Sequence, residues 1–211
     1  MRRLVIPVVT ILLSLMVAHS GSAQRHRPRF SVVGGVNFAT WRGSDVGSGA
    51  TTRTAVHAGA LATLDLNRAV SIQSGLVYSQ QGTGADVGGG VTGTIKVDYL
   101  LVPFYVLAGT TLQGTTPLRP YLYAGPAVGL KVHCRVEASN GGTSASADCD
   151  DPSVGLKVKG TDFGLHFGAG VGFGRFTVGG RYQLGLSSID DTGGNANIKN
   201  SVFAITAGYQ F

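Results

Sequence analysis

Charge is scarce in this 211-residue chain, with only 13% of residues being Asp, Glu, Lys or Arg. A chain so poor in charge and so rich in apolar residues (43%) is not a disordered tail. The basic residues stand singly, which excludes the clustered Lys/Arg surface of a nucleic-acid binder. Cysteine is nearly absent: Cys134 and Cys149 are the two, with no C-x-x-C spacing, so a structural zinc site is not expected. No ordered Asp/Asn series of the EF-hand kind is present. Beyond the N-terminus no apolar run is long enough for a spanning helix. If the protein crosses a membrane, it must cross as a closed barrel, the other structure that satisfies its own backbone in lipid.

Glycine, by contrast, is abundant at 33 residues and follows no collagen period, which suits tight turns and a crowded sheet interior. The N-terminus reads as an export address. Arg2-Arg3 is basic, Leu4 to Ala18 is mostly apolar, and Gly21-Ser-Ala23 offers small residues before a cut. Cleavage is expected after Ala23, leaving 24–29 as a short polar segment and 30–211 as one domain. Losing Arg2 and Arg3 takes the formal charge from +6 to +4.

The last segment sets the architecture. Phe203, Ile205, Ala207, Tyr209 and Phe211 alternate with smaller or polar residues, the period of a strand with one apolar face. Seven further segments show the same period, at 30–40, 54–66, 70–80, 94–108, 119–133, 161–173 and 176–187. Gly82 to Gly93 and Cys134 to Gly160 read as loops. Pro103 inside the fourth segment predicts a bulge or a missing ladder bond there. Eight strands, with long connections after the odd ones and shorter ones after the even ones, predict an all-β, eight-stranded antiparallel transmembrane up-and-down barrel.

Depth assignment sharpens that reading. Phe30, Tyr105, Phe173, Phe176, Tyr209 and Phe211 fall near the periplasmic ends of the lipid-facing stripe. Phe38, Tyr78, Tyr99, Phe163 and Phe203 fall near the outer ends. Two aromatic girdles are expected at the two interfaces, whereas a soluble lipocalin-like barrel would turn its apolar side chains inward.

Several segments carry a family resemblance: Ser71 to Gly82 (SIQSGLVYSQQG), Val97 to Val106 (VDYLLVPFYV), Arg119 to Gly129 (RPYLYAGPAVG) and Gly179 to Gly185 (GGRYQLG). Together they resemble the PorT-like outer-membrane β-barrel family. The resemblance implies an outer-membrane barrel spanning about 30–211. The family's best-known branch serves a protein secretion and gliding machinery, and no segment marks this chain as part of that branch.

The chemistry-bearing residues are few. Cys134 and Cys149, in the expected third outer loop and an oxidising compartment, are expected to form a disulfide worth about 3 kcal/mol on the chain-entropy model. Glu137, Asp148, Asp150 and Asp151 make that loop acidic; a solvated loop is the expectation, with calcium or lipopolysaccharide bridging as the alternative. Gly168, Gly170 and Gly172 repeat every second residue, which is wrong for a phosphate loop and right for an inner barrel face that makes room for large side chains opposite. His57, Asp65, Lys96, Asp98, Arg119, Lys131, Asp162, His166 and Arg181 have inward parity. In a barrel just wide enough for its own side chains they are expected to pair as a polar network, with Arg181 mid-barrel. No nucleophile, base and orienting acid come together in the sequence. No metal or cofactor is expected. Expected partners are outer-membrane lipid and lipopolysaccharide, the barrel-assembly machinery during biogenesis, and other envelope proteins. The functional expectation is a non-enzymatic barrel with a structural or surface-interaction role; the alternatives are an accessory part of a secretion apparatus or a narrow small-solute channel.

Overall fold

A computed structural model describes residues 27–114, 117–140, 142–149, 151–192 and 196–211. The expected leader and Asp150 lie outside the described residues. Among the described residues there are ten strands: β1 (Arg29–Arg42), β2 (Ala50–Thr51), β3 (Arg53–Asp65), β4 (Val70–Gly88), β5 (Val91–Gly109), β6 (Leu118–Asn140), β7 (Thr143–Asp148), β8 (Thr161–Phe173), β9 (Phe176–Gly185) and β10 (Lys199–Gln210). Eight of them are long, and each long strand has two long antiparallel neighbours, the short β2 and β7 adding to β4 and β6. The chain-order pairs run from β1 to β10, and β1 pairs with β10 from Ser31↔Gln210 to Arg42↔Lys199. The ladder therefore closes into a barrel with no free edge, as the alternation along the sequence predicts. No helix among the described residues is long and apolar enough to cross a membrane.

The outward face carries the apolar exposure. Val32, Val36, Val56, Ile72, Leu76, Leu122, Leu130, Phe163, Phe167, Val178, Phe203 and Ile205 are all exposed. In water such a surface would be unfavourable by ~25 cal/mol for each Å² of apolar area; in lipid it is matched. At the end carrying Phe30 and Phe211, Phe173 stacks on Phe176 with centroids 6.0 Å apart, and Tyr209 meets Phe176 and Phe211 at 5.3 Å each. Near the opposite end Phe38 stacks on Phe203 at 6.2 Å.

Two expectations about strand extent fail. The glycine-rich stretch Gly82 to Gly93 is mostly ladder, because β4 and β5 run on together from Gln80↔Asp98 to Gly88↔Val91. The reversal is confined to Gly88, Gly89 and Gly90, all at positive φ (83°, 62° and 80°), a conformation only glycine adopts without strain. Likewise β6 continues past Cys134 and folds back as the β6–β7 hairpin, Arg135↔Asp148 to Asn140↔Thr143. Gly, Ser and Thr composition signals turns, but a ladder that leaves the membrane needs no apolar face to persist.

The face assignment of β5 is inverted. Tyr99, Leu101, Pro103 and Tyr105 point inward, while Phe104 and Val106 are exposed. Tyr99 (0% exposed) and Tyr105 (4%) are therefore interior residues and do not belong to the girdles. Residues 99–107 are apolar on both faces, so a two-residue period cannot say which face meets lipid. The β5–β6 register shifts at Val132, skipped between Asp98↔His133 and Tyr99↔Lys131, and the β4–β5 pairing is interrupted at Val102 and Pro103, between Ser74↔Phe104 and Val77↔Leu101, the gap the proline predicts. The other nine girdle residues lie on the outward face, Phe38 and Tyr209 being half-buried there.

Candidate functional site: a sealed mouth and a cationic vestibule

The barrel interior divides into two unlike halves. The outer half is filled. Trp41, Val97, Tyr99, Leu101, Val158 and Ile189 pack around the Cys134–Cys149 disulfide, both sulfur residues being buried. Two connections are drawn into this plug. The segment before β8 and the segment before β10 hydrogen-bond to each other through Lys159 N–H to the Ile189 carbonyl (2.7 Å) and Asp191 N–H to the Lys157 carbonyl (2.9 Å). Lys131 Nζ donates to the Val158 carbonyl at 2.8 Å, tying the same lid to β6. Asp162 accepts from Asn200 Nδ2 (2.9 Å) and Ser187 Oγ (3.1 Å) at the underside of the plug.

Below it lies a layer of neutral polar groups. Asn37 Nδ2 donates to Ser79 Oγ at 3.0 Å, and its Oδ1 lies 2.9 Å from His57 Nδ1. His57 Nε2 reaches Thr206 Oγ1 at 2.9 Å. Gln81 and Gln183 exchange amide hydrogen bonds at 3.2 Å across the barrel. These amides and hydroxyls share the inward parity of the ionisable residues, and that parity is their signal in the sequence.

The half nearer the termini is hollow. A cavity of about 730 Å³ opens among the β3–β4 and β8–β9 turns and ends at Val77, Pro103, His57 and Arg181. Tyr121 and Tyr123 of β6 project into it over Gly170 and Gly168, to which they are directly paired. A β-carbon on Gly170 would lie 2.5 Å from the Tyr121 ring, and one on Gly168 2.6 Å from that of Tyr123. The alternating glycines are thus inward-facing room for aromatics, as their spacing predicts.

The expected interior network divides in the same way. Asp65 and Arg119 line the hollow half, at the end that carries Arg29. Asp65 is held by Arg29 and Ser71, each at 2.7 Å. His166 is fully buried, with Nδ1 2.6 Å from Tyr105 Oη. Arg181, 6% exposed, stands among His57, His166, Tyr105 and Tyr123, with no ion pair among the described residues. Lys96 and Asp98 are not interior at all. The inversion of β5 turns them outward, where Lys96 pairs with Glu137 at 2.5 Å and Asp98 accepts from Tyr78 Oη at 2.6 Å. Arg53 joins this outer belt by donating to the Gln81 carbonyl.

Among the described residues no cluster of three potential metal ligands occurs. Glu137 is taken by Lys96, and Asp151 is taken by Ser153 at 2.8 Å. With both cysteines in the disulfide, neither is a thiolate ligand.

A family model for the outer membrane protein beta-barrel domain matches residues 21–191. The chain belongs to that family. It is a bacterial outer-membrane β-barrel protein. Similar solved structures include OprG of Pseudomonas aeruginosa (13% identity, 88% of this chain and 97% of that one, TM-score 0.49). Ail of Yersinia pestis is similar at 15% identity, covering 88% and 99%, TM-score 0.43. Neisserial surface protein A is similar at 16%, covering 86% and 97%, TM-score 0.41. No curated protein sequence matches the chain.

Proposed function

We propose that this barrel is non-enzymatic and closed to solutes, and that it acts at the cell surface through its outer hairpins. The observation that carries the reading is the plugged mouth: a disulfide-centred apolar cluster fills the outer half of the bore while the β6–β7 hairpin continues beyond it. A bore filled with side chains does not conduct, and a braced hairpin presents a defined surface. Thr206, His57 and Asn37 have the connectivity of a hydroxyl, a base and an orienting amide. The backbone at Thr206, however, is committed to the β1 and β9 ladders, leaving no amide pair to stabilise an oxyanion. That supports the non-enzymatic reading.

Arg53, Lys96 and Arg135 at the outer end suit the phosphates of lipopolysaccharide. The closing strand β10, with Tyr209 beside Phe211, suits recognition by the barrel-assembly machinery. A second reading, an accessory role of the PorT-like kind, draws support from the cavity that faces the periplasm.

Photo-crosslinking in intact cells tests this. Probes at Ser139 and Ser144 should capture lipopolysaccharide or external ligands. Capture of secretion proteins from a probe at Arg68, with none from the hairpin, would shift the assignment to the accessory role. Steady conductance of the oxidised barrel in planar bilayers would refute closure.

A further inference from the structure

The periplasm-facing cavity has a charge that the fold does not balance. Four arginines line it: Arg29, Arg68, Arg119 and Arg181. Asp65 is the one acid among the lining residues, and Arg29 already engages it. Guanidinium stays charged under all ordinary conditions, so the formal excess is three positive charges. Arg181 closes the inner end of the cavity, and its Nε and Nη2 are buried with no hydrogen-bond partner. Burying a cation without a counter-charge is costly, and here two of its donors are left unmet. The walls add the hydroxyls of Tyr121, Tyr123 and Thr177, while that of Tyr105 is engaged by His166. A volume near 730 Å³ lies within the ~300–1,000 Å³ usual for small-molecule sites.

We propose that this vestibule is a binding site for a small oxyanion, a phosphate or carboxylate group entering from the periplasm. Arg181 would receive its oxygens in the fork geometry that guanidinium offers to such groups. Arg119 and Arg68 at the rim steer the anion inward, and the tyrosines flank the rest of the molecule. The plug above makes the site a dead end, so it binds and does not transport. This proposal is independent of the outer-surface role: either can fail alone.

The test uses the full barrel, folded in micelles, with inorganic phosphate and succinate as probes and chloride at matched ionic strength as control. Backbone amide shifts of Gly168 and Gly170 report occupancy by NMR. Saturable shifts with phosphate or succinate, weakened at least tenfold in Arg181→Gln and absent with chloride, are expected; the stronger of the two names the group. Arg68→Gln, at the exposed rim, should weaken binding only two- to threefold. If Arg181→Gln does not fold, Arg181→Lys and Thr177→Trp take its place: lysine keeps the charge but loses the fork, and tryptophan fills the cavity. Shifts that grow linearly without saturation, that chloride reproduces, or that Thr177→Trp leaves unchanged would overturn the proposal.

Discussion

Three glycines on one face of β8 should respond to alanine in graded order, because the same β-carbon meets three different neighbours. At Gly172 the nearest atoms to an added β-carbon are 3.7 Å away, ordinary contact with Arg119 and Thr177. There the replacement removes backbone freedom from the unfolded chain and should stabilise by about 0.5 kcal/mol. At Gly170 the carbon meets the end of the Tyr121 ring at 2.5 Å, with the Val178 carbonyl at 2.9 Å. The ring has the vestibule to swing into, so the entropic gain is offset and a net loss of about 1 kcal/mol follows. At Gly168 the carbon comes within 2.3 Å of the Gly180 carbonyl as well as 2.6 Å of the Tyr123 ring. That carbonyl belongs to the β8–β9 ladder and cannot retreat without disturbing it. Overpacking of this kind costs about 2–3 kcal/mol. Urea unfolding in lipid vesicles, scored by the gel shift between folded and heated barrel, gives the three values. Should Gly168→Ala be as stable as Gly172→Ala, or the order reverse, the tyrosine-over-glycine packing argued here is wrong.

The remaining expectations follow from single contacts. Replacing both Cys134 and Cys149 by Ala should cost about 3 kcal/mol and raise hydrogen exchange in the β6–β7 hairpin; an unchanged urea midpoint would deny the disulfide its bracing role. Tyr99→Phe removes the weaker of two acceptors of Asn200 Nδ2, 3.4 Å away against 2.9 Å for Asp162, and should cost under about 1 kcal/mol in the same assay. Asp45 accepts the Asn197 amide at 2.8 Å, linking two outer connections, and this bond together with that from Ser44 holds its carboxyl below the usual range. The tether is therefore present above the ordinary carboxylate pKa of about 4 and is lost as pH falls through the lower folded value. Protection of the Asn197 amide, measured against the unstructured exchange rate at the same pH, should be high at neutral pH and fall in acid, with Asp45→Ala unprotected throughout.

The sequence disclosed the eight long strands, the disulfide and the outward aromatics because each leaves a local periodic or compartmental signal. It misplaced Tyr99 and Tyr105 because β5 is apolar on both faces, so parity carried no information and only the pairing with β4 and β6 decides it. Lys96 and Asp98 were misplaced with them, being on the same strand. The hairpin extensions escaped notice for the opposite reason: beyond the lipid, neither face of a ladder needs to be apolar. An interior network of opposite charges was expected from burial cost, yet the inward acids lie at the two ends while Arg181 lies between them. Parity says which way a side chain points and nothing about how deep its partner sits.

That separation along the barrel axis connects the two halves of the molecule. An eight-stranded bore can be filled by its own side chains, and this one is, but only toward the outside. There the large residues Trp41, Tyr99 and Leu101 meet a disulfide and two inbound connections. Toward the other end β8 supplies Gly168, Gly170 and Gly172, and the space they leave is only partly retaken by Tyr121 and Tyr123. Had the sequence been shaped for closure alone, larger apolar residues on β8 and β9 would fill the gap and a neutral side chain would replace Arg181. Instead the hollow is kept and its deepest wall is a cation with unmet donors. The sealed outer half and the open, positive inner half are physically separable, so filling the vestibule should leave the outer plug intact while abolishing whatever the vestibule holds.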